Sequence, residues 1–157
     1  MIEIHSAEMP EDLESIRVLF REYQQGLGVD LCFQDFEAEL AGLPGKYAGP
    51  TGVLLIAKDG DVPCGCVAVR QTEGTICELK RMFVRPDWRG RGLGRRLAEA
   101  ILVEARSLGY TVMRLDTLDR LIAAMRLYES LGFQHIPAYY DNPLAGVAYW
   151  ELKLRES

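Results

Sequence analysis

The densest chemistry in the chain lies in eight consecutive residues, Arg89-Gly90-Arg91-Gly92-Leu93-Gly94-Arg95-Arg96. They follow a strand-like run ending at Val84 and open a pattern in which Leu93, Leu97, Ile101, Ala105 and Leu108 recur at helical spacing. Glycines at such a turn let backbone approach a ligand closely, and the first helical N–H groups point outward at the positive end of the helix dipole. Arginines add bidentate donors for phosphate oxygens. A pyrophosphate is the ligand this arrangement suits; the competing reading is a turn that needs only positive φ, its arginines facing water. Two other phosphate loops fit poorly. A P-loop requires GxxxxGK[ST], and the chain contains no Lys-Ser or Lys-Thr. A dinucleotide fingerprint begun at Gly92-x-Gly94 puts Leu97 where Gly or Ala belongs. Asp116 does stand about 20 residues on, but such a loop should open the fold rather than follow hairpins.

The cysteines suggest less. Cys32, Cys64, Cys66 and Cys77 form no CxxC pair, and the only histidines are His5 and His135. Cys64 and Cys66, two apart in a strand, are expected to share a buried face rather than to supply a zinc site, which needs four ligands. No metal is expected.

Charge is uneven along the chain. The net charge is −5, yet residues 1–50 hold ten acids against three bases and residues 51–98 hold nine bases against five acids. A basic middle suits a phosphate-bearing ligand; the acidic first third either attracts cationic substrates or is a solvated helix. Basic residues confined to one short segment argue against nucleic acid. No apolar run reaches the ~18 residues of a transmembrane helix, and Met1-Ile2-Glu3-Ile4-His5 has neither the basic nor the apolar region of a signal peptide. A cytoplasmic, non-membrane protein is expected. With 157 residues, 48% of them hydrophobic, one domain over residues 1–157 is expected.

The elements that must position the loop follow from periodicity. Ile2 and Ile4 alternate with polar residues as a first strand. Pro10 opens an acidic first turn, and Leu13, Ile16, Leu19, Phe20 and Tyr23 mark a helical face ending near Gly26. Phe33, Phe36, Leu40 and Leu43 predict a second helix that stops before Pro44-Gly45. Val53 to Ala57, Cys64 to Arg70 and Ile76 to Val84, separated by Asp59-Gly60 and Glu73-Gly74, predict an antiparallel meander. After the long helix, closed by Gly109, come a strand at Thr111 to Leu115, a helix at Leu121 to Leu131 closed by Gly132, a strand at Phe133 to Ile136, and a last strand at Val147 to Leu154. The fold class is α/β, in the order β-α-α-β-β-β-α-β-α-β-β. The sheet should be mixed and mostly antiparallel, six- to seven-stranded, with helices on both faces. The strands flanking the long helix should pair in parallel through a crossover.

Arg89-x-x-Gly92-x-Gly94 resembles the [QR]-x-x-G-x-[GA] signature of the GNAT (Gcn5-related) N-acetyltransferases. Cys77 to Pro86 looks like the strand that precedes this signature in the family. The segment Ala123 to Phe133, with Tyr128-x-x-x-Gly132-Phe133, is similar to the family's second motif, and Tyr128 follows Gly94 by 34 residues. With the predicted strand order, the likeness spans nearly the whole chain.

The resemblance implies a single-domain N-acetyltransferase that uses acetyl-CoA without a metal and moves acetyl directly to a primary amine on a small molecule or a protein. Its pyrophosphate would sit on Arg89, Gly90, Arg91, Gly92, Leu93, Gly94 and Arg95, and its pantetheine arm would pair with the backbone of Met82, Phe83 and Val84 where two parallel strands splay. Tyr128 would protonate the departing thiolate, although helical spacing alone places it on a core face with Ala124, Leu127 and Leu131. Glu78, on the strand presenting the acyl group, would be the base if its pKa were raised; it could equally pair with Lys80 or Arg114. Many family members carry asparagine seven residues before the tyrosine; here that position is Leu121. The first two helices and Tyr139-Tyr140-Asp141-Asn142-Pro143 would frame the acceptor; tyrosines and acids there either hold a cationic amine or, by default, the tyrosines simply pack on the surface. A homodimer through the last strand is compatible with its length and apolarity. The alternatives are a non-catalytic CoA-binding regulatory module and, from the glycine loop alone, a nucleotide-dependent oxidoreductase.

Overall fold

Alternation and helical periodicity resolve, in a computed structural model, into seven strands and four α-helices; the structure describes residues 1–8, 10–28, 30–31 and 34–155. Strand β1 spans Ile2–Ser6, β2 Val53–Asp59, β3 Val62–Glu73, β4 Ile76–Val84, β5 Val112–Leu118, β6 Gln134–Ile136 and β7 Val147–Lys153. Helix α1 spans Pro10–Leu27, α2 Phe36–Ala41, α3 Leu93–Ser107 and α4 Ile122–Ser130, with short 3₁₀ turns at Gly45–Tyr47 and Pro86–Trp88. The strands form one sheet in the order β1-β2-β3-β4-β5-β7-β6, antiparallel throughout except for the β4–β5 pair. The expected meander, crossover and element order are all present. Phe33 lies outside the described residues. No helix among the described residues is long and apolar enough to cross a membrane.

Each sheet face carries its own core. On one, α3 and α4 bury Leu97, Ile101, Tyr128 and Phe133 against Val67, Val69, Cys77, Met113, Leu115 and Trp150. On the other, α1 and α2 bury Ile16, Phe20, Phe36 and Leu40 against Leu54, Ile56, Cys66 and Ala68. Helix α3 lies so close that a Cβ on Gly65 would meet the Phe83 carbonyl oxygen at 2.9 Å and a Leu97 methyl at 3.1 Å. A residue without a side chain is therefore what lets the helix seat on β3.

Two irregularities shape the site. Ala57 pairs with Gly65 but Lys58 pairs with Pro63, which leaves Cys64 as an extra residue in β3. This bulge reverses the side-chain alternation. Cys64 and Cys66 are both fully buried, but in opposite cores, contrary to the shared face expected from their spacing. The second bulge is in β4, where Cys66 pairs with Phe83 and Ala68 with Lys80, so Arg81 and Met82 together oppose Val67. Arg81 adopts φ 58°, a left-handed conformation unusual for a side chain of its size.

The last strand bears on the expected dimer route. β7 is paired to β5 along its whole length and to β6 over residues 149–151 only, so the middle of its outer edge is already used in the sheet. The sheet edges are β1 and β6.

Candidate active site

The β4–β5 ladder contains three register pairs, Ile76–Val112, Cys77–Met113 and Glu78–Arg114, and stops there. From Leu79 and Leu115 onward the two strands diverge, and the edge of β4 facing β5 keeps unpaired main-chain groups. The Arg81 bulge, immediately beyond, bends β4 and increases its twist. In the fork lies a cavity of about 90 Å³ lined by Leu79, Lys80, Met82, Asp116, Tyr23 and Tyr128 among others. Met82 lines it, whereas Phe83 is buried on the α1 side and Val84 packs into the α3 core. Of these three predicted residues, Phe83 and Val84 have only main chain to offer a ligand in the fork.

Below the fork the glycine turn leads into α3. Gly90 and Gly92 both take φ 78°, and an added Cβ at either would meet nothing within 4 Å. Conformation, not crowding, demands glycine there, and the space above the turn is open. Gly92 caps α3, and the first backbone bond of the helix runs from the Arg96 N–H to the Gly92 oxygen at 3.1 Å. The N–H groups of Leu93, Gly94 and Arg95 precede it and have no intrahelical partner. Such a cradle fits a pyrophosphate.

The arginines contribute less than their number suggests. Arg89 donates through Nε to the Val84 oxygen at 2.9 Å with its guanidinium over Phe83, Arg95 is bonded to Ser130 of α4, and Arg96 donates to the Ile2 oxygen at 3.0 Å. Only Arg91 makes no hydrogen bond or ion pair among the described residues, and it is exposed.

Tyr128 sits at the wall of the fork, 5% exposed, its ring edge-on to Phe133. Its hydroxyl has no hydrogen-bond partner among the described residues. Burial, with smaller contributions from Tyr23 and Asp116, pushes the phenol well above its ordinary value, so it stays protonated at any physiological pH. Leu121 stands at the N-cap of α4, lines the fork and offers no polar side-chain cap.

Beside the fork opens a second cleft of about 500 Å³. Its floor is a row of register partners, Arg70 on β3, Glu78 on β4 and Arg114 on β5, continued by Glu151 on β7. Arg70 donates through Nε to Glu78 Oε1 at 2.9 Å, and Arg114 through Nε to Glu151 Oε2 at 3.0 Å. The Tyr139 hydroxyl donates to Glu78 Oε2 at 2.6 Å and Tyr140 donates to Asp116, so residues 137–146 roof this half of the sheet. The Tyr139 ring already carries the Arg114 guanidinium at 5.6 Å, which removes it as an aromatic seat for a cationic amine. Arg81, 3% exposed, is held bidentately by Glu39 at 2.9 and 3.1 Å and packed against Phe36 and Tyr23, which stabilises its strained backbone.

Glu78 departs from the expectation of a raised pKa. Burial alone would raise it, but Lys80, the Tyr139 hydrogen bond and Arg70 together outweigh burial and hold the carboxyl below its ordinary 4.5. Both oxygens already accept hydrogen bonds, an arrangement that suits an anchor better than a base. Sequence reasoning passed over Arg70 and Tyr23 as ordinary strand and helix residues; only strand register and the crossing of α1 bring them to the site.

This geometry has close counterparts. Residues 50–135 match the acetyltransferase (GNAT) domain family. The chain is 43% identical over 155 residues to an uncharacterized N-acetyltransferase of Schizosaccharomyces pombe, covering 98% of this chain and 95% of that protein. Among solved structures it resembles an acetyltransferase of the GNAT family from Staphylococcus aureus Mu50, with TM-score 0.82, 18% identity and coverage of 99% of this chain and 100% of that one. It also resembles yncA of Salmonella typhimurium, solved with its cofactor acetyl-CoA, at TM-score 0.75, 23% identity and coverage of 100% and 96%. The protein belongs to the GNAT acetyltransferase family and is an acyltransferase of the N-acetyltransferase kind. The family excludes the oxidoreductase alternative.

Proposed function

We propose that this protein transfers an acetyl group from acetyl-CoA directly to a primary amine, with Tyr128 as the general acid. The observation that carries the reading is the Tyr128 hydroxyl, carried on a buried side chain at the wall of the β4–β5 fork and without a hydrogen-bond partner among the described residues. When bound, acetyl-CoA supplies an activated thioester. The unpaired main-chain amides of Leu93, Gly94 and Arg95, with Arg91, would hold its pyrophosphate, and the open edge of Met82 to Val84 its pantetheine arm.

The amine nitrogen of the acceptor, neutral at the moment of attack, forms a bond to the acetyl carbon as the carbon–sulfur bond breaks with its electron pair moving to sulfur. Tyr128 gives its proton to that sulfur. The same desolvation that raises the phenol raises the proton affinity of a thiolate held beside it, which keeps the transfer within reach. The nitrogen releases one proton to water at the open mouth of the cleft, and water restores the phenol. Glu78 positions Arg70 and Tyr139 and does not take the proton.

Calorimetric titration with acetyl-CoA, followed by thiol release across a panel of amines, tests the reading. Binding together with amine-dependent thiol release is expected. Binding with no thiol release from any amine overturns it in favour of a non-catalytic CoA-binding module.

A further inference from the structure

The acceptor cleft has a polarity that the acidic first third of the sequence conceals. Inside the rim, each carboxylate that lines it is already accepting through both oxygens: Glu78 from Arg70 and Tyr139, and Glu39 from Arg81. What remains uncommitted is donors. Arg70 and Arg114 are each held by Nε alone, and their terminal nitrogens have no hydrogen-bond partner among the described residues. The two side chains keep 28% and 27% of their surface and line the cleft. Between them Lys80, bonded to Gln34 at 3.0 Å and 3.9 Å from Glu78, lines both cleft and fork. The acids without such partners, Asp35, Glu73 and Asp141, are exposed and stand at the rim.

We propose that the acceptor is a free amino acid, its carboxylate held by Arg70 and Arg114 while its amine is directed to the fork at Lys80. This rests on the acetyl-transfer reading and names its substrate class. The geometry suits it in three ways. A guanidinium engaged through Nε still presents an Nη pair, the donor set that matches a carboxylate. The pairing of β4 with β5 ends at Glu78 and Arg114, so a carboxylate there sits one residue from the point where the strands part. Rim acids can meet the ammonium form on entry before it loses a proton. A polyamine or an aminoglycoside would instead bring donors to a floor that has only donors left, at the desolvation penalty of unpaired cations.

The test compares proteinogenic amino acids with their C-terminal amides and with spermidine, by thiol release from acetyl-CoA and by calorimetric titration into protein saturated with CoA. At least one amino acid should exceed its amide about tenfold or more in both kcat/KM and affinity, since the amide leaves the arginines unpaired. Arg114→Gln, whose partner Glu151 is partly exposed, should raise the KM for that amino acid about tenfold, erase the preference over the amide, and leave the KM for acetyl-CoA unchanged. Arg114→Lys should restore part of the loss, which a merely structural role for Arg114 would not produce. Amides or spermidine bound and acetylated as well as amino acids would overturn the proposal, as would an unchanged acceptor KM in folded Arg114→Gln. Preferential amino-acid binding without any thiol release would overturn the transferase reading while supporting this pocket's selectivity.

Discussion

The two halves of the proposed site are built from different parts of the chain. The donor half, from the Gly90 turn to the β4–β5 fork, is main chain: three amides ahead of the first α3 bond, a strand edge released after Glu78, and a cavity of about 90 Å³. The acceptor half is side chain: a cleft of about 500 Å³ whose floor of Arg70, Glu78 and Arg114 is fixed by mutual hydrogen bonds and roofed by Tyr139. Main-chain recognition needs only conformation, and conformation is set by a few local residue types. Side-chain recognition needs particular groups from distant positions to meet. The donor half should therefore tolerate side-chain changes and resist glycine changes, and the acceptor half should do the reverse.

Tyr128 is the one side chain on which the proposed chemistry of the donor half depends. Tyr128→Phe keeps the ring contact with Phe133 and removes only an unpartnered hydroxyl, so folding should be unaffected. Steady-state kinetics should show kcat lower by about 10²-fold with little change in acetyl-CoA affinity. Unchanged turnover would remove the acid from the donor half and leave it a binding surface only.

The acceptor half should show its side-chain dependence first in stability. Glu78→Gln leaves Arg70 and Lys80 facing a neutral group, and because Arg70 keeps partial exposure the cost should be about 2 kcal/mol, readable by denaturant unfolding. The pH dependence follows from the direction of the shift. The folded pKa of Glu78 lies below the ordinary 4.5, so its contribution is complete above that value and is lost as pH falls through the depressed folded value. The wild-type protein should lose stability relative to Glu78→Gln as pH is lowered below 4.5, narrowing the gap between them. A gap constant from pH 7 down to pH 3 would mean the row is not held by charge.

The same division explains what the sequence disclosed. The turn, the helix it opens, the crossover and the Tyr128 helix are local patterns, and each was legible: Gly92 caps α3 and Gly132 follows α4 at φ 98°. The acceptor floor was not, because Arg70, Glu78 and Arg114 become neighbours only through strand register. The two bulges were equally hidden, being a mismatch between strands rather than a feature of either. One extra residue at Cys64 sent two cysteines to opposite cores, and one at Arg81 placed an arginine in a left-handed conformation. The apolarity of β7 was ambiguous for a related reason: it marks a strand as buried, and pairing to β5 along its length and to β6 over residues 149–151 buries a strand as a partner would.

The smallest predicted effects sharpen the comparison most. Gly92→Ala places a side chain at φ 78° where nothing obstructs it, so its cost is conformational, about 1–2 kcal/mol. If the start of α3 shifts to relieve that strain, the affinity for acetyl-CoA should fall about tenfold in a calorimetric titration. Arg91→Gln, by contrast, removes an exposed charge with no hydrogen-bonding role in the fold. An exposed ion contact contributes about 0.2–1 kcal/mol, so affinity should fall about two- to threefold, and the difference should fade near 0.5 M salt, where screening shortens to a few ångströms. The ratio of the two effects measures how far the pyrophosphate is read by main chain rather than by charge. Should Arg91→Gln cost more than Gly92→Ala and keep its cost in high salt, the arginines would be the true cradle, and both halves of the site would be side-chain devices.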